Sequence, residues 1–454
     1  MEPISIQQAA QAIGAKIVGA SEGEAHGVCT DSRQETLGTL FFALRGETGD
    51  GHQYAAEALR KGAAAVVVER FVEGVEGTQL VVADTLRALG MLGRFYRQHF
   101  DIPVVGVTGS VGKTSTKETL ACALSAKYRT HASAKNFNNE IGVPLTLFGL
   151  EASHQAAVIE MAMRGRGQIA ELAEIALPTI GVITNIGVSH IELLGSRDAI
   201  AATKAELLES LPAGGMAIIP ADDDYADFLR SRCGCPTRSF GVEKPADFQV
   251  TDVRFTRDGH PHFRVNGCPM AIPAPGVHHL ANAAAACAVA DALGISLEAV
   301  AERLRSFRPP AMRMETLLLP DGSILLNDAY NAAPDSMRAA LMTLRLTSQG
   351  RRARSVAVLG EMRELGEYAL EAHRYVGRIV RAERIDLLVT VGALAQEIGR
   401  AAMQEEEGDR WRAFETTEEA AAGLPALIQP GDCVLVKGSR AMEMEKIVAA
   451  LTPA

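Results

Sequence analysis

A short apolar, β-branched run, Val104-Val105-Gly106-Val107-Thr108, passes through a glycine-rich turn, Gly109-Ser110-Val111-Gly112, into Lys113-Thr114-Ser115-Thr116 and a stretch of helical periodicity at 117–124. A buried strand, a tight loop and a helix start in that order make a phosphate-binding loop. Glycines let the backbone curl until successive N–H groups point at one anion, and the helix N-terminus adds partial positive charge. Lys113 is then placed to bridge the outer phosphates of a nucleoside triphosphate, with the Thr114 hydroxyl on Mg²⁺. The spacing departs from the usual pattern at one position: the first glycine of the loop is replaced by Val107, flanked by Gly106 and Gly109.

A chain of 454 residues should hold about three domains. Its 45 Lys+Arg against 55 Asp+Glu give a net charge of −10, which disfavours non-specific nucleic-acid binding. An anionic substrate then needs local positive charge. Of the 7 cysteines only Cys233 and Cys235 are close, and a single Cys-x-Cys is poor zinc spacing. Reduced thiols and a cytoplasmic location are expected. Met1-Glu2-Pro3-Ile4-Ser5 carries no signal-peptide pattern, and the alanine-rich run 283–292 is too short to span a membrane.

Strand patterns at 40–44, 65–68 and 80–83, with helices at 54–60 and 86–95, describe a small α/β unit ending near Pro103. Further strands are expected at 157–161, 180–183 and 217–219, alternating with helices. That alternation predicts a mostly parallel sheet covered on both faces. Residues 248–275 break the rhythm with short, turn-rich antiparallel strands, a helix follows at 282–293, and Ser306-Phe307-Arg308-Pro309-Pro310 reads as a linker. A hairpin turning at Asp321-Gly322 opens a second doubly wound unit with strands at 355–359, 386–391 and 433–436. The acidic run Glu405-Glu406-Glu407 reads as a solvated helix end. The expected domains are 1–100, 101–312 and 313–454.

Acids that hold a metal beside a phosphate loop belong at the C-terminal ends of neighbouring strands. Glu160 closes an apolar strand, where an acid is costly unless paired or metal-bound. His190 follows the strand-like run 182–189, and a neutral imidazole there can ligate a metal. Gly165-Arg166-Gly167-Gln168-Ile169-Ala170 fits a loose dinucleotide fingerprint, but Thr184 and Asn185 occupy the region where its ribose-binding acid belongs. No Asn-Lys-x-Asp segment is present, which argues against a guanine-specific GTPase.

Several segments together carry a resemblance: Thr30-Asp31-Ser32-Arg33, 40–46, Asp50-Gly51-His52, the loop ending Gly112-Lys113-Thr114, and Asn136-Phe137-Asn138-Asn139-Glu140 running on to Pro144. To these add Asn327-Asp328-Ala329-Tyr330-Asn331-Ala332-Ala333-Pro334-Asp335-Ser336-Met337 and Val436-Lys437-Gly438-Ser439-Arg440. Over nearly its whole length the chain resembles the Mur ligases of bacterial cell-wall synthesis. Within that family it is most similar to the branch that adds D-alanyl-D-alanine to a UDP-N-acetylmuramoyl-tripeptide.

The resemblance implies a small N-terminal UDP-sugar domain, a central ATP-binding domain and a C-terminal Rossmann-like domain, all α/β. It implies ATP and Mg²⁺ as cofactors, with ATP held by Thr108, Gly109, Ser110, Val111, Gly112, Lys113, Thr114 and Ser115. Asn282 falls where the family contacts adenine, and His279 stands where many relatives carry Asn. Lys113, Glu160, His190, Lys204, Arg313 and Asp328 match catalytic positions. Thr114, Glu160, His190 and Lys204 match metal-associated ones, with Lys204 matching a lysine that siblings carbamylate. Ser32, Arg33, Asn138 and Asn139 match UDP-sugar contacts, and Asn331 and Asp335 are candidates for the dipeptide, beside the loop 360–366. The expected partners are these small molecules, with no nucleic acid, no membrane span and a monomeric chain. A sibling amide ligase, either the diamino-acid-adding member or a folylpolyglutamate synthetase, and an ATPase switch that forms no bond stay open as alternatives.

Overall fold

The computed structural model describes residues 1–46, 49–134, 136–403 and 408–452. The acidic run 405–407 lies outside the described residues.

Three large sheets carry the chain, beside a two-stranded antiparallel pair, Ile4–Ser5 with Glu24–Ala25. The first has five strands in the order Lys16–Val18, Gln79–Val81, Ala65–Val68, Thr39–Phe42, Gly27–Cys29, parallel except for the Lys16–Val18 edge. Its centre, Ala-Val-Val-Val, is buried throughout, as a strand covered on both faces must be.

The second sheet has nine strands, in the order Cys268–Ala271, Pro261–Val265, Phe248–Phe255, Thr237–Gly241, Met216–Pro220, Ile180–Ile183, Val104–Thr108, Ala156–Glu160, Thr130–Ala132. The pairs from Phe248–Phe255 to Thr130–Ala132 are parallel, and the two outer strands, at Pro261–Val265 and Cys268–Ala271, are antiparallel. Val104–Thr108 therefore lies inside the sheet, with Glu160 opposite Val107 on one side and Ile183 opposite Thr108 on the other. Val107 is a fully buried strand residue, so the loop turns only after Thr108. The alanine-rich helix His278–Ala292 packs against Lys113–Leu124, and its small side chains are almost entirely enclosed.

The third sheet has six strands: Glu315–Leu318, Ile324–Asp328, Cys433–Lys437, Ser355–Gly360, Leu387–Val391, Trp411–Phe414, parallel except for the outer hairpin strand.

Helix Thr85–Arg97 ties the first unit to the second. Arg97 is buried and donates to the carbonyls of Ala176, Phe100 and Ile102, while the Tyr96 hydroxyl donates to Leu150 O at 2.7 Å.

Several expected elements differ in extent. The helix expected at 282–293 begins at His278, and the one at 54–60 is preceded by a 3₁₀ turn, Gly51–Tyr54. The strand-like run 182–189 stops at Ile183, because Thr184 and Asn185 turn their side chains onto the phosphate loop. The short strands Thr130–Ala132, Thr237–Gly241 and Trp411–Phe414 carried too little pattern to be anticipated.

Candidate active site

The glycine loop is held in shape by the next strand's continuation. Ser110 N donates to Asn185 O at 3.0 Å, Val111 N to Asn185 Oδ1 at 3.0 Å, and Thr184 Oγ1 to Val111 O at 2.6 Å. A Cβ at Gly109 would overlap the Thr184 hydroxyl, which accounts for glycine there. Gly112, at φ 80°, precedes Lys113, the first residue of the helix. Lys113 Nζ folds back to donate to Gly109 O at 2.9 Å and Ser110 O at 3.4 Å. Burial lowers the pKa of its ammonium, with Glu160 opposing the shift and Arg313 adding to it.

In front of the loop opens a cleft of about 1540 Å³. Residues 110–116 form its floor, and Asn138, Asn139, Glu160, His190 and Asn282 line the side built by the second sheet's unit. Arg313, Asp328, Asn331 and Asp335 line it from beyond the linker. Thr108 and Gly109 sit behind the loop and do not reach the cleft surface. Lys204 lies deeper, 1% exposed on helix Arg197–Glu209, and within electrostatic range of Lys113 and His190. Ser32 and Arg33 do not line this cleft: Ser32 is buried in the N-terminal unit, and the exposed Arg33 pairs with Asp31 at 2.7 Å.

Glu160 is 2% exposed. Its Oε1 accepts from Asn138 Nδ2 at 2.7 Å, whereas Oε2 is buried with no partner among the described residues. The Asn138 amide nitrogen thus binds Glu160, and the Asn139 amide oxygen accepts locally from Gly142 N at 2.9 Å. Asn282 Oδ1 accepts from Thr116 Oγ1 at 3.0 Å, leaving its buried Nδ2 without a partner among the described residues. His279 faces inward, with its ring edge-on to Phe307 at 5.5 Å.

His190 is held at φ 63°, and its Nδ1 lies 2.8 Å from Glu364 Oε2 across the cleft. Burial, then Lys113, lowers the His190 pKa against the pull of Glu364. Burial and Lys113 push the Lys204 ammonium well below its ordinary value.

Beyond the linker, the Arg313 guanidinium stacks 4.1 Å from the Tyr330 ring centroid. Asp328 Oδ1 accepts from Met314 N at 3.1 Å and its Oδ2 pairs with Lys437 Nζ at 2.6 Å. Lys437 also donates to Asn331 O at 2.8 Å, and the Asn331 side chain accepts from Ala332 N. Asp335 comes against Gly187, where an added Cβ would stand 2.5 Å from its Oδ2. Thr184, Asn185, Tyr330 and Glu364 were not singled out for these contacts. Each acts through a partner far away in sequence, and only the strand-end position of Thr184 and Asn185 gave any signal.

Among the described residues no three His, Cys, Asp or Glu side chains converge as a metal cage. A Mg²⁺ that keeps its waters and takes phosphate oxygens needs only one or two protein carboxylates. The orphaned Glu160 oxygen, in the cleft that Thr114 also lines, meets that requirement.

Residues 24–97, 107–290 and 312–440 match, in turn, the catalytic domain of the Mur ligase family, the Mur ligase middle domain and the Mur ligase glutamate ligase domain. The chain is 41% identical over 427 residues to UDP-N-acetylmuramoyl-tripeptide–D-alanyl-D-alanine ligase of Synechocystis sp., covering 93% of this chain and 91% of that one. It superposes on crystal structure I of MurF from Acinetobacter baumannii with a TM-score of 0.92, at 33% identity and 99% coverage of each chain. MurF ligase from Thermotoga maritima, solved in complex with ADP, gives a TM-score of 0.83 at 28% identity, covering 94% of this chain and 96% of that one.

Proposed function

The chain belongs to the Mur ligase family, and from that premise we propose that it is the ATP-dependent ligase joining D-alanyl-D-alanine to a UDP-N-acetylmuramoyl-tripeptide in bacterial peptidoglycan precursor synthesis. The observation that carries this reading is one cleft shared by a phosphate loop, a buried carboxylate with a free oxygen and side chains from the unit beyond the linker. An ATPase switch that forms no bond requires only the first of these.

A carboxylate is a poor electrophile because its oxygen is a poor leaving group. Transfer of the ATP terminal phosphoryl group makes an acyl phosphate. The dipeptide amine then attacks the carbonyl, and phosphate departs from the tetrahedral intermediate. Lys113 and the N–H groups at 110–115 hold and screen the triphosphate, Asn282 meets the adenine, and Arg313 contacts phosphate. Asp328 completes the site from the last unit. Mg²⁺, when bound, neutralises charge between the two anions, with Thr114, Glu160 and His190 as its protein neighbours. Lys204, whose lowered pKa favours the free amine, adds CO₂ and releases a proton to become an anionic carbamate. Ser32 and Arg33 take the UDP end of the sugar nucleotide, Asn138 and Asn139 the muramoyl part, and Asn331 and Asp335 the dipeptide. The division of labour follows 1–100, 101–312 and 313–454. No helix among the described residues is long and apolar enough to cross a membrane. The enzyme works as a cytoplasmic monomer serving cell-wall growth, cell shape and division.

The test is incubation with ATP and UDP-muramoyl-tripeptide, with and without D-alanyl-D-alanine. Phosphate release should depend on the dipeptide and match pentapeptide formed. Release that ignores the dipeptide would rule the reading out.

A further inference from the structure

The loop 361–366 of the last unit meets the segment 187–195 of the middle one. Leu365 is buried at 2%, in the same apolar cluster as Ile186 and Ile191. Gly366 lies so close that a Cβ there would stand 3.1 Å from the Glu192 side chain. Between these anchors Glu364 reaches His190, Oε2 to Nδ1 at 2.8 Å, and both residues hold φ 63° although neither is glycine. Non-glycine residues in that region persist only where the surroundings over-determine them.

The pair is 57% exposed on the glutamate side, so as an adhesive it contributes little. Its effect is on the ring. A carboxylate at Nδ1 favours the tautomer with the proton on that nitrogen, leaving the Nε2 lone pair free. The oxygen stands 2.8 Å from Nδ1 but off the ring N–H direction, so the ring must turn for the hydrogen bond to close. Lys113, which lowers the pKa of the ring, repels its proton and cannot perform this task.

We propose that Glu364 is a positioning residue: docking of the last unit sets the tautomer and orientation of His190 in the middle one. The ring is therefore ready only when the amine-binding side is in place. This deepens the ligase reading and rests on it for its kinetic arm alone.

The test compares Glu364→Ala and Glu364→Gln with the parent enzyme. Long-range ¹H–¹⁵N spectra of histidine-labelled, unliganded protein should show His190 protonated at Nδ1 in the parent and in Gln, whose amide oxygen still accepts, and shifted toward the Nε2–H form in Ala. For ligation, kcat should fall at least about ten-fold in Ala and recover mostly in Gln, with KM for ATP within about two-fold. An unchanged His190 tautomer in Ala overturns the proposal whatever the catalytic activity. So does an equal loss in Ala and Gln accompanied by a larger radius of gyration in solution scattering, which would make Glu364 a latch. If the spectra behave as expected and no variant or parent forms pentapeptide, the ligase reading fails while the positioning role stands.

Discussion

At the residue scale, the cleft sets charges where their surroundings make them useful. Lys113 is clamped by Gly109 and Ser110 carbonyls at the base of the loop, poised where an anion would draw it out. Lys113→Ala should therefore lower ligation at least about 100-fold, the scale for removing one pre-positioned electrostatic group. UDP-sugar affinity, measured by calorimetry without ATP, should be nearly unchanged; retained turnover would mean that the loop lysine is not catalytic. Lys204 is enclosed and faces Lys113, a setting hostile to an ammonium and favourable to a carbamate. Lys204→Ala should lose activity that short carboxylic acids partly restore, read as ligation rate against acid concentration. A flat response counts against the carbamate. The residue-scale assignments drawn from strand ends, Glu160 and His190, do meet in one cleft, whereas Ser32 and Arg33 lie away from it. Sequence could name these residues, but their separation depends on how the first unit is set against the second.

At the scale of elements, the phosphate loop is a property of two neighbouring strands. Val104–Thr108 delivers the turn, and the continuation of Ile180–Ile183 supplies Thr184 and Asn185 to brace it. Helix Thr85–Arg97 plays the corresponding part for the N-terminal unit. The Arg97 guanidinium serves carbonyls on the linker and at the end of helix Gln168–Ala176. Arg97→Ala should cost about 2–4 kcal/mol, since charged hydrogen bonds are lost and buried carbonyls left unpaired. The thermal midpoint should fall, with Arg97→Lys recovering only part of it. A midpoint unchanged in the alanine variant would show that the linker does not need this clamp. Nothing in the sequence marked Arg97, because an arginine near a helix end is ordinary and its acceptors are distant in the chain.

At the scale of the whole molecule, the middle and last units share a seam as well as a cleft. His278, at the start of the alanine-rich helix, faces Asp328, Lys437 and Arg313 from across the linker. Burial pushes its pKa down to about 4, against Asp328 and with help from Lys437 and Arg313, and burial also lowers its enclosed neighbour His279 well below the ordinary value. Between about pH 6.5 and the folded pKa the unfolded chain binds more protons, so stability is full above that window and declines as pH falls through it. The slope should approach about 1.4 kcal/mol per pH unit for each histidine. Urea midpoints at pH 7, 6 and 5 should drop in that order, and less steeply in His278→Gln. Equal slopes in parent and variant would remove His278 from the account.

The sequence by itself determined the local chemistry: a strand-loop-helix that holds phosphate, acids at strand ends, and three α/β units in order. Those features depend on neighbouring residues and on periodicity, which a chain carries wherever it folds. Tertiary structure alone decided which groups share a site, that the Asn138 amide nitrogen binds Glu160, and that Asp328 is tied to Lys437 and to the Met314 N–H. It also brought Glu364 to His190. Such contacts join residues far apart along the chain, and a hydrogen bond depends on distance and direction in space, which no spacing in the sequence encodes.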